Sequence, residues 1–165
     1  MSLTPLLTSL TILTKLHQRM FDLSVKKTDI VTEGNIDKLN ELLKDEQQHM
    51  AAIQTVEKQR QQAALSFLLD KKGASANDAP TINDCLEYAD EYETEQLQKA
   101  QNQLLRQIVE LQERNELNQK LIYQSLQFVN LNLSMMQPEN QTATYSRPNQ
   151  PKPKAPSRSM FDSQA

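Results

Sequence analysis

Residues that form tight turns are scarce over the first 137 positions, and this scarcity most constrains the fold of the chain. The 165-residue sequence has two glycines, Gly34 and Gly73, and only two of its seven prolines lie before position 138. A sheet protein needs frequent tight turns, which are rich in glycine and proline. Few turn signals over so many residues imply few, long elements, so we predict an all-α protein.

Apolar residues recur at helical spacing in three segments. We predict helices over about 3–32, 36–71 and 82–136, packed as an antiparallel, coiled-coil-like bundle of three long helices. Pro5 suits the first turn of a helix, where its missing N–H costs nothing. Gly34 can end the first helix in the left-handed conformation, and Asn35 can cap the second. Thr81 and Asp84 resemble a capping box; the pattern leaves open whether a short helix there continues directly into the long one.

The composition changes at Pro138. Five of the seven prolines lie between positions 138 and 156, mixed with Asn, Gln, Ser, Thr, Lys and Arg. We therefore predict a helical domain over 1–137 and a disordered, polyproline-like tail over 138–165. Met160 and Phe161 form a small apolar island in this tail, which is either a docking peptide or a chance pair.

Several classes of function are disfavoured by the residues present. A formal charge of −3 gives no reason to expect nucleic acid as a ligand. Cys85 is the single cysteine, so no intramolecular disulfide can form, and with His17 and His49 it makes a poor zinc site. We expect His17 to be a core or boundary residue, His49 to be solvated, and Cys85 to be inert because nearby carboxylates oppose its thiolate.

No catalytic constellation or glycine-rich phosphate loop is apparent, so we predict no enzymatic activity, no cofactor and no small-molecule substrate. No apolar run approaches the roughly 20 residues that span a bilayer. The apolar N-terminal stretch has no basic residue before Lys15 and is interrupted by threonines, unlike a signal peptide. We therefore expect a soluble, cytoplasmic protein.

The last predicted helix is apolar on more sides than a small bundle can cover. Two stripes run along 117–136. The first contains Leu117, Leu121, Phe128, Leu131 and Met135, and the second Ile122, Leu126, Val129, Leu133 and Met136. One stripe can pack on the protein's own helices, and the other then needs a partner. We predict a surface that binds a substrate protein, formed by Leu117, Leu121, Ile122, Leu126, Phe128, Val129, Leu133 and Met136.

Polar residues interrupt the apolar seam of the same helix. Asn115, Asn118, Ser125 and Asn132 share a heptad frame with apolar residues, where a tight coiled coil would be destabilised by them. They either set the register or face solvent, or they keep the last helix loosely held so that it can accept a partner. The sequence leaves both readings open.

The chain resembles the FlgN family of flagellar export chaperones, in particular members from Bacillus-type bacteria. The motif Asn118-x-x-Leu121-Ile122-x-x-Ser125-Leu126-x-x-Val129 is similar to the family's Asn-x-x-Leu-Leu-x-x-Ser-Leu-x-x-Val in its last helix. The break at 33–35, the Leu-rich helix after it, and the closing residues 161–165 also look like this family.

The resemblance implies a cytoplasmic chaperone of flagellar type III export. Such a protein binds the C-terminal helical regions of the two hook-filament junction proteins, prevents premature assembly and delivers them to the export gate. The last helix would carry the substrate site. Many members have a Tyr-Gly-x-x-Gly element that docks on the gate membrane protein; here Tyr145 occupies a similar place, although both glycines are missing.

Two other functions are compatible with the sequence. The same apolar stripe could mediate homodimerisation, which would make the chain a homo-oligomeric coiled-coil scaffold or adaptor. A small helical enzyme or metal-binding protein is the other alternative, and the poor inventory of ligands disfavours it.

Overall fold

A computed structural model describes residues 3–72 and 79–137, and these residues form four α-helices and no strand. The helices are α1 (Thr4–Glu33), α2 (Ile36–Lys72), α3 (Ile82–Leu86) and α4 (Glu91–Met136). The all-α prediction is thus confirmed for this part of the chain. The tail predicted over 138–165 lies outside the described residues.

The helix predicted over 82–136 is wrong in one respect, because it is divided into α3 and α4. Two consecutive capping boxes cause the division. Thr81 and Asp84 cap the start of α3 reciprocally, as their spacing predicted, and Asp90 and Glu93 do the same for α4. An Asp side chain that bonds to nearby backbone N–H groups competes with helix continuation, so a helix can restart without a glycine or proline.

The turn between α1 and α2 follows the predicted signals. Gly34 has a φ of 72°, the left-handed region that favours glycine. Its N–H donates to the carbonyls of Ile30 and Val31, and the Asn35 N–H donates to Ile30 at 3.3 Å. The Asn35 side-chain oxygen in turn accepts from the Lys38 N–H at 3.0 Å. The chain therefore reverses within two residues, and the end of α1 lies beside the start of α2.

Helix α1 is the shared element of the fold, because both α2 and α4 pack against it along its length. Among the described residues no Cα of α2 lies within 8 Å of a Cα of α4. The predicted antiparallel bundle of three long helices is therefore not confirmed. The three long helices instead form an open arrangement in which α1 is central.

The best-buried apolar cluster lies where α1 begins, α2 ends and α4 begins. Its members are Leu3, Leu6, Leu10, Ala64, Phe67, Leu68, Ile82, Cys85 and Leu97. Arg60 connects α2 to the segment that precedes α3. Its guanidinium donates to both Glu57 carboxylate oxygens, at 2.7 and 2.8 Å, and to the Pro80 carbonyl at 3.2 Å. The hydrogen bonds from Arg60 lower the pKa of Glu57. An ion pair between Lys71 and Glu93 at 2.7 Å joins α2 to α4 at this end, although the backbones of these two helices stay apart.

A buried polar cluster joins α1 to α4 near the opposite end. Asn118 is 2% exposed, and its amide donates to the Ser24 carbonyl at 2.8 Å and to the Ser24 hydroxyl at 3.0 Å. The Thr28 hydroxyl donates to the Asn118 side-chain oxygen at 2.6 Å, and the Ser24 hydroxyl donates to Asn115 at 2.8 Å. These bonds fit the register reading of Asn115 and Asn118. Since the start of α4 contacts the start of α1, the two helices run parallel.

We expect Asn118→Ala to lower the free energy of unfolding by about 1–3 kcal/mol, because it removes the three hydrogen bonds that the buried Asn118 amide makes with Ser24 and Thr28. Urea denaturation followed by circular dichroism measures this change. Asn130→Ala is the matched control, because Asn130 lies on the same helix and is exposed. Its effect should stay within about 0.5 kcal/mol. Equal effects of the two substitutions would contradict the role assigned to the cluster.

Candidate functional site

The apolar side chains that follow Asn118 on α4 are not enclosed by the rest of the protein. Of the eight residues predicted to bind a substrate protein, Leu121 and Ile122 are half-buried and the other six are exposed: Leu117, Leu126, Phe128, Val129, Leu133 and Met136. Phe128 is 65% exposed and Met136 is 81% exposed. A large apolar residue gains about 1.5–3 kcal/mol on full burial, so this surface can contribute substantially to binding.

This exposure differs from the expectation that the protein's own helices would bury one of the two stripes. Both stripes are open, because α1 ends at Glu33, beside the part of α4 around Ile122 and Leu126. Seven more residues of α4 follow Val129, the last residue that lines a groove with α1, and they extend about 10 Å further. No described helix is available to cover them.

The structure brings only three of the eight predicted residues into one concave site. Ile122, Leu126 and Val129 line an open groove of about 280 Å³ against the α1–α2 turn. Leu117 instead borders a separate cleft with Phe21 and Arg114. Leu121, Phe128, Leu133 and Met136 line neither of these depressions.

The opposite wall of this groove was not anticipated from the sequence. It is formed by the last turn of α1 and the first turn of α2, through Ile30, Val31, Gly34, Asn35, Ile36 and Leu39. Ile36 is 71% exposed, although it is a large aliphatic residue. The available signal was the break at 33–35, which places apolar residues before and after it at the same end of the molecule. We call the surface lined by these residues and by Ile122, Ser125, Leu126 and Val129 the turn groove.

Acidic and basic side chains are absent from the end of α4. Positions 121–137 contain no Asp, Glu, Lys or Arg. The polar residues that line the turn groove, Asn35 and Ser125, are uncharged, and the Ser125 hydroxyl donates to the Leu121 carbonyl at 2.9 Å. Such a surface can make apolar contacts and neutral hydrogen bonds, but it has no charge of its own for acid–base chemistry or ion binding.

The side chains that could be reactive, Cys85, His17 and His49, lie outside this surface. They are packed in the core or hydrogen-bonded to the backbone of their own helix. Cys85 is buried in the apolar cluster, and burial raises the pKa of its thiol to about 11, with a smaller contribution from the Asp84 carboxylate. Burial rather than the nearby carboxylates is thus the main reason for its low reactivity. His17 is half-buried and bonds through Nδ1 to the Leu13 carbonyl at 2.8 Å, and His49 does the same with Asp45. Within 3–72 and 79–137 no group of three His, Cys, Asp or Glu side chains is placed to hold a metal ion.

None of the four helices in the described part of the chain is long and apolar enough to cross a membrane. Tyr145, the candidate for contact with the export gate, lies outside the described residues.

An all-helical protein whose longest helix ends in an uncovered, uncharged apolar surface has the architecture of a protein-binding module. Comparison with known proteins agrees. The family model described as FlgN protein matches residues 1–153, and the chain belongs to this family, which is a family of flagellar chaperones. It is also 30% identical over 151 residues to the uncharacterized protein YvyG of Bacillus subtilis (strain 168), a match that covers 91% of each chain. No solved structure matches the chain.

We expect the Cys85 thiol to react very slowly with a thiol reagent at pH 8 in the folded protein. With a pKa of about 11, only about one thiol in a thousand is ionised at that pH, and burial further limits access. Absorbance with Ellman's reagent should show rapid reaction only after denaturant is added. Rapid stoichiometric reaction without denaturant would contradict the buried placement of Cys85.

Proposed function

We propose that this chain is a cytoplasmic chaperone of flagellar type III export that binds the C-terminal helical regions of the hook-filament junction proteins, also called hook-associated proteins. It keeps these subunits from assembling prematurely and delivers them to the export gate. The observation that carries the proposal is the uncovered apolar end of α4, together with the turn groove beside it. Family membership supports the general role of a flagellar chaperone.

The partner best suited to this surface is an amphipathic helix. The apolar residues of α4 recur at helical spacing over 117–136, and a helix lying along them can contact one residue per turn. Five large apolar side chains offer on the order of 10 kcal/mol of gross burial energy. Ordering of the partner and loss of its free motion remove several kcal/mol. The remainder corresponds to reversible binding of about micromolar affinity or tighter, which suits a carrier that must release its subunit.

Delivery to the gate requires a contact between the chaperone and the export-gate membrane protein. We assign the contact with the export-gate membrane protein to Tyr145, solely on the resemblance of its position to that of the family's tyrosine. The contact is transient in this scheme, because the gate must receive the subunit and release the chaperone.

We expect the triple substitution Ile122→Ser, Leu126→Ser and Val129→Ser to abolish capture of a hook-filament junction subunit. Losing three apolar contacts of about 1.5–3 kcal/mol each should weaken binding by more than about a hundredfold. Pull-down with a purified subunit measures capture, and circular dichroism should show largely unchanged helicity.

Gln119→Ser, Gln127→Ser and Asn130→Ser together form the matched control, because these exposed residues lie on the polar side of the same helix. The control should retain capture. Full capture by the apolar triple variant would show that the site is assigned wrongly. If light scattering at several concentrations showed a tight dimer that ignored the subunit, the scaffold function would replace the chaperone function.

We also expect subunit affinity to depend little on salt. Positions 121–137 contain no Asp, Glu, Lys or Arg, and no charged residue lines the turn groove, so few counterions are displaced on binding and electrostatic steering is weak. Between about 50 and 500 mM NaCl, the dissociation constant from isothermal titration calorimetry should change by less than about threefold. Weakening by a factor of ten would show that charged residues elsewhere on the chain contribute to the interface.

A further inference from the structure

The turn groove is too small for the whole apolar face of a helix. Its volume of about 280 Å³ lies just below the range of about 300–1,000 Å³ that is usual for small-molecule pockets. Its walls are almost entirely apolar, with Ile30, Ile36 and Leu39 facing Leu126 and Val129. A concave apolar site of this size suits a pair of large side chains that enter together.

The sequence after α4 contains one such pair. Among positions 138–165 the large apolar or aromatic residues are Tyr145, Met160 and Phe161, and only the last two are adjacent. Methionine adapts to irregular apolar surfaces, and phenylalanine buries a large area for the rotational freedom it loses. If Met160 and Phe161 form a docking peptide, the apolar turn groove is a site of matching chemistry within the same chain.

Chain length allows this pair to reach the turn groove. From Gln137 to Met160 there are 23 residues, which can span at most about 75 Å. Val129, at the near edge of the turn groove, lies eight residues before Gln137, about 12 Å along the helix. The connection is therefore several times longer than the distance it must cover.

The charges near the two surfaces have opposite signs. Positions 138–165 contain four basic residues and two acidic ones, and Arg158 lies two positions before Met160 while Asp162 directly follows Phe161. At the α1–α2 turn, exposed Asp29, Glu33 and Asp37 adjoin residues that line the turn groove. Lys38 approaches Glu33 at 3.5 Å and offsets part of this negative charge. A basic segment is thus favoured at this end of the molecule.

We propose that Met160 and Phe161 occupy the turn groove when no exported subunit is bound, and that the subunit must displace them. Docking of this pair in the turn groove involves no other protein and does not depend on the proposed function. The regulatory consequence, competition with the subunit, rests on the proposed function. The pair shields Ile36, Leu126 and Val129 from water in the free protein, and so limits self-association through this apolar surface.

Paramagnetic relaxation enhancement in the full chain tests the occupancy. A nitroxide attached at Ser163→Cys is selective, because Cys85 is buried. We expect broadening of the backbone amide signals of Ile36 and Val129, and loss of this broadening in the variant Met160→Ser, Phe161→Ser. The matched control Asn149→Ser, Gln150→Ser should keep it. Unbroadened signals in the parent chain would overturn the proposal.

A mixture of two differently labelled samples shows whether the pair docks within its own chain or into a second copy. When ¹⁵N-labelled protein without nitroxide is mixed with unlabelled protein that carries it, intramolecular docking gives no broadening of Ile36 or Val129. Broadening in the mixed sample as strong as in the singly labelled chain would show docking into a second copy and would overturn the intramolecular assignment.

Competition is measured with a peptide from the C-terminal helical region of a hook-filament junction protein. If the pair fills the turn groove at least half of the time, Met160→Ser, Phe161→Ser should bind this peptide about twofold or more tightly than the parent chain. Unchanged affinity would overturn the competition. Broadening without peptide binding by any variant would reject the proposed function and leave the occupancy standing, whereas peptide binding without broadening would do the reverse.

Discussion

The hydrogen bonds of Asn118 set the register between α1 and α4, and the rest of the surface depends on that register. Asn118 bonds to both Ser24 and Thr28 while almost fully buried. A buried amide is costly unless its partners are in place, so sliding α4 by one turn would break these bonds. A single polar residue in an apolar seam can fix register in this way, at some cost in stability.

This register decides how much of α4 is left uncovered. Helix α1 has 30 residues and α4 has 46, so one end of α4 must extend beyond its partner. The apolar cluster around Leu6 and Leu97 holds the first ends together, and Asn118 holds the middle. From Thr28 five residues remain in α1, whereas 18 remain in α4 after its partner Asn118, so most of the excess length falls at this end, where the side chains are most apolar. The α1–α2 turn lies beside this segment and supplies the second wall of the groove.

The open arrangement of the helices separates the buried core from the exposed apolar surface of α4. The buried apolar residues are concentrated at the end where α1 and α4 begin and α2 ends, and Arg60 and the ion pair of Lys71 and Glu93 join the elements there. The other end retains exposed apolar residues such as Phe128 and Met136. Stability and recognition are thus assigned to opposite ends of α4, so substitutions at the binding end need not unfold the core.

The sequence by itself determined the helical class, the turn at Gly34, the capping box at Thr81 and the excess of apolar residues after Asn118, because each depends on neighbours a few positions away. It did not reveal the restart at Asp90, where a second capping box competes with an otherwise unbroken helical pattern. Only the tertiary structure decided that α2 and α4 stay apart, that Asn118 is buried while Phe128 is exposed, and that Ile30 and Ile36 face Val129. These facts depend on how far each helix extends along its neighbour, and helical periodicity repeats identically at every turn, so it carries no information about that alignment.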